Sequence, residues 1–135
     1  MKFNSILVAL LFAALVPVRA ATEREIIHAV VMEASGEPYA AQVAVCAVIR
    51  NRGNSLKGIY GATVTRFESP KVYAQVEKAW KESATKDPTK GCDMFGGVID
   101  DKYFKGKLNL DPVITIGKTR FYKSPVRKVL TKPPK

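Results

Sequence analysis

Glu33 and Glu37, at either end of the turn Glu33-Ala34-Ser35-Gly36-Glu37, are the side chains whose type and spacing best suit chemistry. A carboxyl group can protonate a leaving oxygen as a general acid. The alternatives are thinned by composition. There is one histidine, His28, and there are two cysteines, Cys46 and Cys92. A zinc hydrolase draws about three ligands from its protein, and no ligand cluster surrounds His28. A Ser–His–Asp or Cys–His site would have to use His28 as its base, yet a lone ring without a patterned partner reads as a packed or surface helix residue. Cys46 lies among Val43, Ala44, Val45, Ala47 and Val48, where a thiol packs as a small hydrophobe. Carboxylate chemistry survives, and neither a metal nor a cofactor is expected.

The elements that must position these carboxylates are helical. From Thr22 to Met32 the apolar residues Ile26, Ile27, Val30 and Val31 form a core-facing helical stripe. Thr22 and Glu25 have capping-box spacing. Glu33 falls in the last turn, at the negative end of the helix dipole. Gly36 is expected to end this helix with a positive φ, and Pro38 to open the next, with Glu37 at or near its cap. The second helix, from about Pro38 to Asn51, is apolar nearly all round and reads as the buried central helix, closed by Gly53. Ser69-Pro70 opens a third, through about Ser83, with Val72, Tyr73, Val76, Ala79 and Trp80 at helical spacing. That stripe places Trp80 in the core rather than on a sugar. Beyond Lys86 the pattern breaks into short segments, of which 112–117 and 119–122 have strand composition around a Gly117-Lys118 turn.

The chain begins with Lys2, an apolar run from Ile6 to Val16 and small residues at Ala20-Ala21, the pattern of a secretory signal cleaved after Ala20. Residues 1–20 are then the leader, 21–122 one domain and 123–135 a basic, proline-containing tail. Cleavage lowers the formal charge from +10 to +8, because the leader carries Lys2 and Arg19 and no acid. A basic exported protein is drawn to polyanions, including an anionic envelope surface. No nucleic-acid recognition motif accompanies the scattered cations, so no specific nucleic acid is expected, and the protein is expected to be a monomer. In an oxidising compartment Cys46 and Cys92 could bridge or could remain free; spacing does not decide it.

These residues resemble the SleB-like cell-wall hydrolases of bacteria and their phages. The family's E-A-R-G-E block aligns with Glu33 to Glu37, its G-Q-x-A-V helix with Gln42 to Val45, and its N-R with Asn51-Arg52. Its D-P-T-x-G-A-x-x-F block aligns with Asp87-Pro88-Thr89, Gly91 and Phe95, and its I-G-x-H-x-F-Y with Ile116-Gly117 and Phe121-Tyr122. The resemblance spans about Ile26 to Tyr122. Departures are Ser35 for Arg, Cys92 for Ala, Thr119 for His, and Arg66-Phe67-Glu68 for Q-F-S.

The resemblance implies an α+β, mainly α, lysozyme-like single domain with a central buried helix and a small β region toward the C-terminus. It also implies action on peptidoglycan glycan strands, at the β-1,4 bond between N-acetylmuramic acid and N-acetylglucosamine, by a lytic transglycosylase or a muramidase. Glu33 would be the general acid. Glu37 would be either a second carboxylate, as hydrolytic glycosidases use, or the residue orienting the turn. Tyr39, Gln42, Phe67, Thr119, Phe121 and Tyr122 become candidate substrate contacts; the plain alternative for Thr119, Phe121 and Tyr122 is a small sheet packed on the helices. A rival reading is a basic envelope module that binds wall polymer without cutting it.

Overall fold

Four helices and one three-stranded sheet make an α+β, mainly α fold in the computed structural model, which describes residues 19–125. Expectations for the leader and for most of the basic tail fall outside those residues. Helix α1 spans Glu23–Ala34, with the Thr22–Glu25 capping box formed in both directions. Helix α2 spans Tyr39–Asn51, and every residue from Ala41 to Ile49 is buried, so it is the central helix that its all-round apolar character requires. Helix α3 spans Pro70–Ser83, with Pro70 in its first turn. Gly53, at φ +67°, follows the end of α2 in the left-handed region that glycine favours.

The core joins Ile26, Val30 and Val31 of α1, Val45, Val48 and Ile49 of α2, and Val76 and Trp80 of α3. Trp80 is 5% exposed, a core residue as its stripe requires. The guanidinium of Arg50 lies 3.6 Å from the ring centroid, and its Nη2 donates to the Trp80 carbonyl at 2.8 Å. Stacking of this kind contributes on the order of 1 kcal/mol and ties α2 to α3. Cys46 and Cys92 are both buried and free, so no bridge joins them.

Strands β1 (Met94–Gly96), β2 (Ile114–Ile116) and β3 (Thr119–Tyr122) pair antiparallel in the order β1-β3-β2. In register, Phe121 faces Phe95 on one side and Ile114 on the other. Helix α4 (Asp101–Leu108) lies between β1 and β2 in sequence. It is fixed to β3 where Tyr122 stacks on Phe104 at 3.9 Å and donates to Asp101 Oδ1, while Arg120 pairs with Asp101.

Gly36 differs from expectation. It does not take a positive φ; α1 ends through Ser35 in right-handed geometry, its N–H donating to Val31, and Glu37 N–H then reaches the Ala34 carbonyl. Glu37 also leaves the α2 cap: Pro38 is the N-cap residue, and no side chain caps that end.

Candidate active site

Glu33 emerges from the last turn of α1 into a cleft of about 950 Å³, whose lining includes Glu37, Ile59, Tyr60, Phe95, Tyr103 and Thr119. A 3₁₀ turn, Tyr60–Thr63, packs against α1. From it the Gly61 N–H donates to Glu33 Oε1 at 2.6 Å. Only glycine allows this approach, because a Cβ at position 61 would stand 2.5 Å from the Ala29 carbonyl oxygen and 2.8 Å from Glu33 Cγ. The Glu33 carboxyl is thus held by a backbone donor on one oxygen. Among the described residues Oε2 has no hydrogen-bond partner, which leaves it able to carry a proton to a ligand in the cleft.

Glu37 has a different task. Its Oε2 accepts from the Lys118 N–H at 3.3 Å and so pins the β2–β3 turn to the α1–α2 turn. Gly117 supplies φ +62° there, and a Cβ on it would come 2.8 Å from the same carboxylate oxygen. Beneath the turn, buried Gln42 donates through Nε2 to the carbonyls of Ala34 at 3.2 Å and Glu37 at 3.3 Å, and its Oε1 accepts from Gln75 at 3.1 Å. A fully satisfied buried amide fixes geometry. Here it fixes the backbone between the two glutamates.

Of the sequence-derived candidates, the structure brings Glu33, Glu37 and Thr119 to one cleft. It does not bring Tyr39, Gln42, Phe67, Phe121 or Tyr122 there. Tyr39 turns toward α3 and donates to Glu82 at 2.6 Å; burial and that carboxylate push its phenol up to about 12. Gln42 lies under the turn. Phe67 is 77% exposed and sits in a second groove between α1 and α3, beside His28 and Tyr73. Phe121 is fully buried in the core, and Tyr122 is buried against α4, because β3 is covered on both faces. His28 itself is locked, with Nε2 2.6 Å from the Val64 carbonyl and Nδ1 2.7 Å from the Tyr73 hydroxyl. Donation to Val64 and acceptance from Tyr73 satisfy the neutral ring.

Residues not singled out by sequence complete the cleft. Tyr60 and Tyr103 present exposed rings, and Val98 and Ile99 form an apolar lip on the turn Val98–Asp100. Exposed rings of this kind suit the apolar faces of sugars. The sequence signal was weak but present: aromatics set among glycines in Gly58-Ile59-Tyr60-Gly61 and Phe95-Gly96-Gly97. The cleft also holds Asp93 and Asp100, both engaged structurally. Asp93 accepts from the Ser124 N–H and hydroxyl at 2.7 and 2.6 Å, and Asp100 from the Gly97 N–H at 2.8 Å.

Behind the cleft, Asp87 gathers the loop after α3. It accepts from the Thr89 N–H and hydroxyl, the Gly91 N–H and Asn51 Nδ2, and Asn51 also donates to the Cys92 carbonyl. Burial opposes the charge on Asp87, but these donors outweigh it and hold the carboxyl below its usual range. The separated Asn51-Arg52 and Asp87-Pro88-Thr89 blocks therefore meet in one loop that carries β1 to the cleft wall.

No protein-family model and no curated protein matches this chain. Among solved structures, the catalytic domain of the Bacillus cereus SleB protein matches with a TM-score of 0.54 and 27% identity, over 80% of this chain and 95% of that one. The chain resembles the SleB catalytic domain. A second SleB structure, the catalytic domain of the germination-specific lytic transglycosylase from Bacillus anthracis, matches with a TM-score of 0.53 and 26% identity, over 79% of this chain and all of that one. The SleB likeness thus extends over fold and sequence together.

Proposed function

We propose that this protein cleaves peptidoglycan glycan strands between N-acetylmuramic acid and N-acetylglucosamine as a lytic transglycosylase, with Glu33 as its acid. The observation that carries this reading is the Glu33–Gly61 contact at the cleft of a domain similar to a lytic transglycosylase. Glu33 Oε2 protonates the glycosidic oxygen as the bond to the muramic C1 breaks and positive charge develops on that ring. The muramic 6-hydroxyl then bonds to C1 and returns its proton to Glu33. One carboxyl group therefore serves as acid and then as base, and no water is consumed.

A hydrolytic muramidase ordinarily needs a second carboxylate to activate water or to act as nucleophile. Asp93 has both oxygens engaged by Ser124, and Glu37 ties the Lys118 N–H to the α1–α2 turn; transglycosylation needs neither, which is why we favour the single-carboxylate route. Glu37 acts as a positioning residue in this account. The working domain is residues 21–122, exported by the 1–20 leader as a monomer, with the basic 123–135 tail adding attraction to an anionic envelope. Among the described residues no helix is long and apolar enough to cross a membrane.

The test is clearing of purified wall sacs by the mature protein, by Glu33→Gln and by Glu37→Gln. Clearing should disappear in the first variant while its circular dichroism is unchanged, and should persist, at a reduced rate, in the second. A folded wild-type protein that sediments with sacs without clearing them would favour the wall-binding module instead.

A further inference from the structure

Two lysines stand in the cleft on loops that the glutamates themselves hold. Lys118 is the residue whose N–H Glu37 accepts, at 3.3 Å. Lys57 precedes the Gly58-to-Gly61 segment whose last N–H lies 2.6 Å from Glu33, and its carbonyl accepts from Arg52, a further cation of the cleft lining. Both lysines are exposed, and among the described residues neither ammonium is ion-paired. The placement is specific because each backbone is tethered at the carboxylate end of the cleft.

Uncharged acetylated sugars give such cations no partner. The carboxylates of peptidoglycan belong to the muramic lactyl arm or, where that arm is amide-linked, to the stem peptide. We propose that Lys57 and Lys118 form a subsite for the carboxylate carried on the muramic substituent, so that the protein selects wall glycan bearing that charge over neutral acetylated glycan. The proposal rests on the wall-polymer reading of the same cleft, and it concerns binding, so it can be tested apart from cleavage.

The experiment measures binding of the full mature chain carrying Glu33→Gln to sacs freed of teichoic acid, at low and high salt. Adding Lys57→Gln and Lys118→Gln together should weaken binding about fivefold, as two exposed ion pairs would give, and salt should erase the difference. The control pair Lys71→Gln and Lys107→Gln, outside the cleft, removes the same charge and should change binding less than about twofold on that scale. Sacs whose carboxylates have been amidated should bind parent and Lys57/Lys118 variant alike. Sacs stripped of stems by an amidase, which frees the lactyl carboxylate as the stem leaves, separate the sources: binding that stays lysine-dependent shows that the lactyl carboxylate suffices, and loss of that dependence assigns the stem. Parent-like binding of the Lys57/Lys118 variant to intact sacs, equal weakening by the control pair, or a lysine effect undiminished by amidation would each overturn the proposal. Failure of the wild type to clear sacs would count against the cleavage reading alone.

Discussion

Gly61→Ala tests how Glu33 is positioned. The new Cβ would meet the Ala29 carbonyl oxygen at 2.5 Å and Glu33 Cγ at 2.8 Å. The Ala29 contact is helix backbone and cannot step aside, so the 3₁₀ turn must retreat by about 0.9 Å to reach ordinary contact distance. That movement takes the 2.6 Å bond to Glu33 toward the ~3.5 Å at which it ceases to count as a hydrogen bond. Overpacking should cost about 1–3 kcal/mol of stability, lowering Tm by roughly 4–8 °C per kcal/mol for a domain of this size. In the proposed mechanism Glu33 becomes a carboxylate as it gives up its proton, so loss of the hydrogen bond it then accepts, about 1.5–3 kcal/mol, should lower kcat roughly 10- to 150-fold. Turnover on soluble glycan fragments, measured well below the melting transition, reads the second effect apart from the first. Wild-type kcat with wild-type Tm would refute the proposition that Gly61 holds the acid in place.

Other substitutions probe the surrounding frame. Gly36→Ala should be tolerated, or should raise stability by up to about 1 kcal/mol in urea unfolding, because nothing lies within 4 Å of its Cβ position and its φ is not positive. Gln42→Leu strips the Ala34 and Glu37 carbonyls and Gln75 of their shared partner, and should cost about 1–3 kcal/mol in the same assay. Burial raises the Cys46 thiol from 9.0 to about 12. The unfolded chain therefore loses that proton first as pH rises, so stability present below pH 9.0 should fall progressively toward pH 12, and Cys46→Ala should lessen the slope. Titration with a thiol reagent should find no fast-reacting group in the native protein and two in denaturant without reductant; none in denaturant would mean a disulfide.

Helices were legible where burial is one-sided and periodic. Thr22 with Glu25, and Ser69 with Pro70, marked two starts, and the unbroken run from Ala41 to Ile49 marked the central helix. Helix α4 escaped because only Phe104 of its eight residues is buried, among Lys102, Lys105, Gly106 and Lys107, so no apolar stripe forms. Strand β1 is three residues long, and its pairing with β3 over Met94–Tyr122 to Gly96–Arg120 is what makes it a strand. In the cleft, Glu33 was legible because it closes an amphipathic helix just before a glycine turn. Gln42 lies under the turn and not in the cleft, a difference the sequence does not carry, because a polar residue in an apolar helix reads the same whether it faces a ligand or a buried carbonyl. Phe121 and Tyr122 lie in the core and against α4 because β3 buries both of its faces, so alternation does not single out a cleft side. Tyr60 and Tyr103 carry no periodic signal, since their exposure depends on loops that tertiary contacts fold.

The central claim is chemical, and the new sugar ends decide it. Purified peptidoglycan digested with the mature protein and with Glu33→Gln, then analysed by mass spectrometry, should show 1,6-anhydro-muramic ends with the first and none with the second. Reducing muramic ends would contradict the single-carboxylate route, and anhydro ends persisting in a folded Glu33→Gln protein would remove Glu33 from the mechanism.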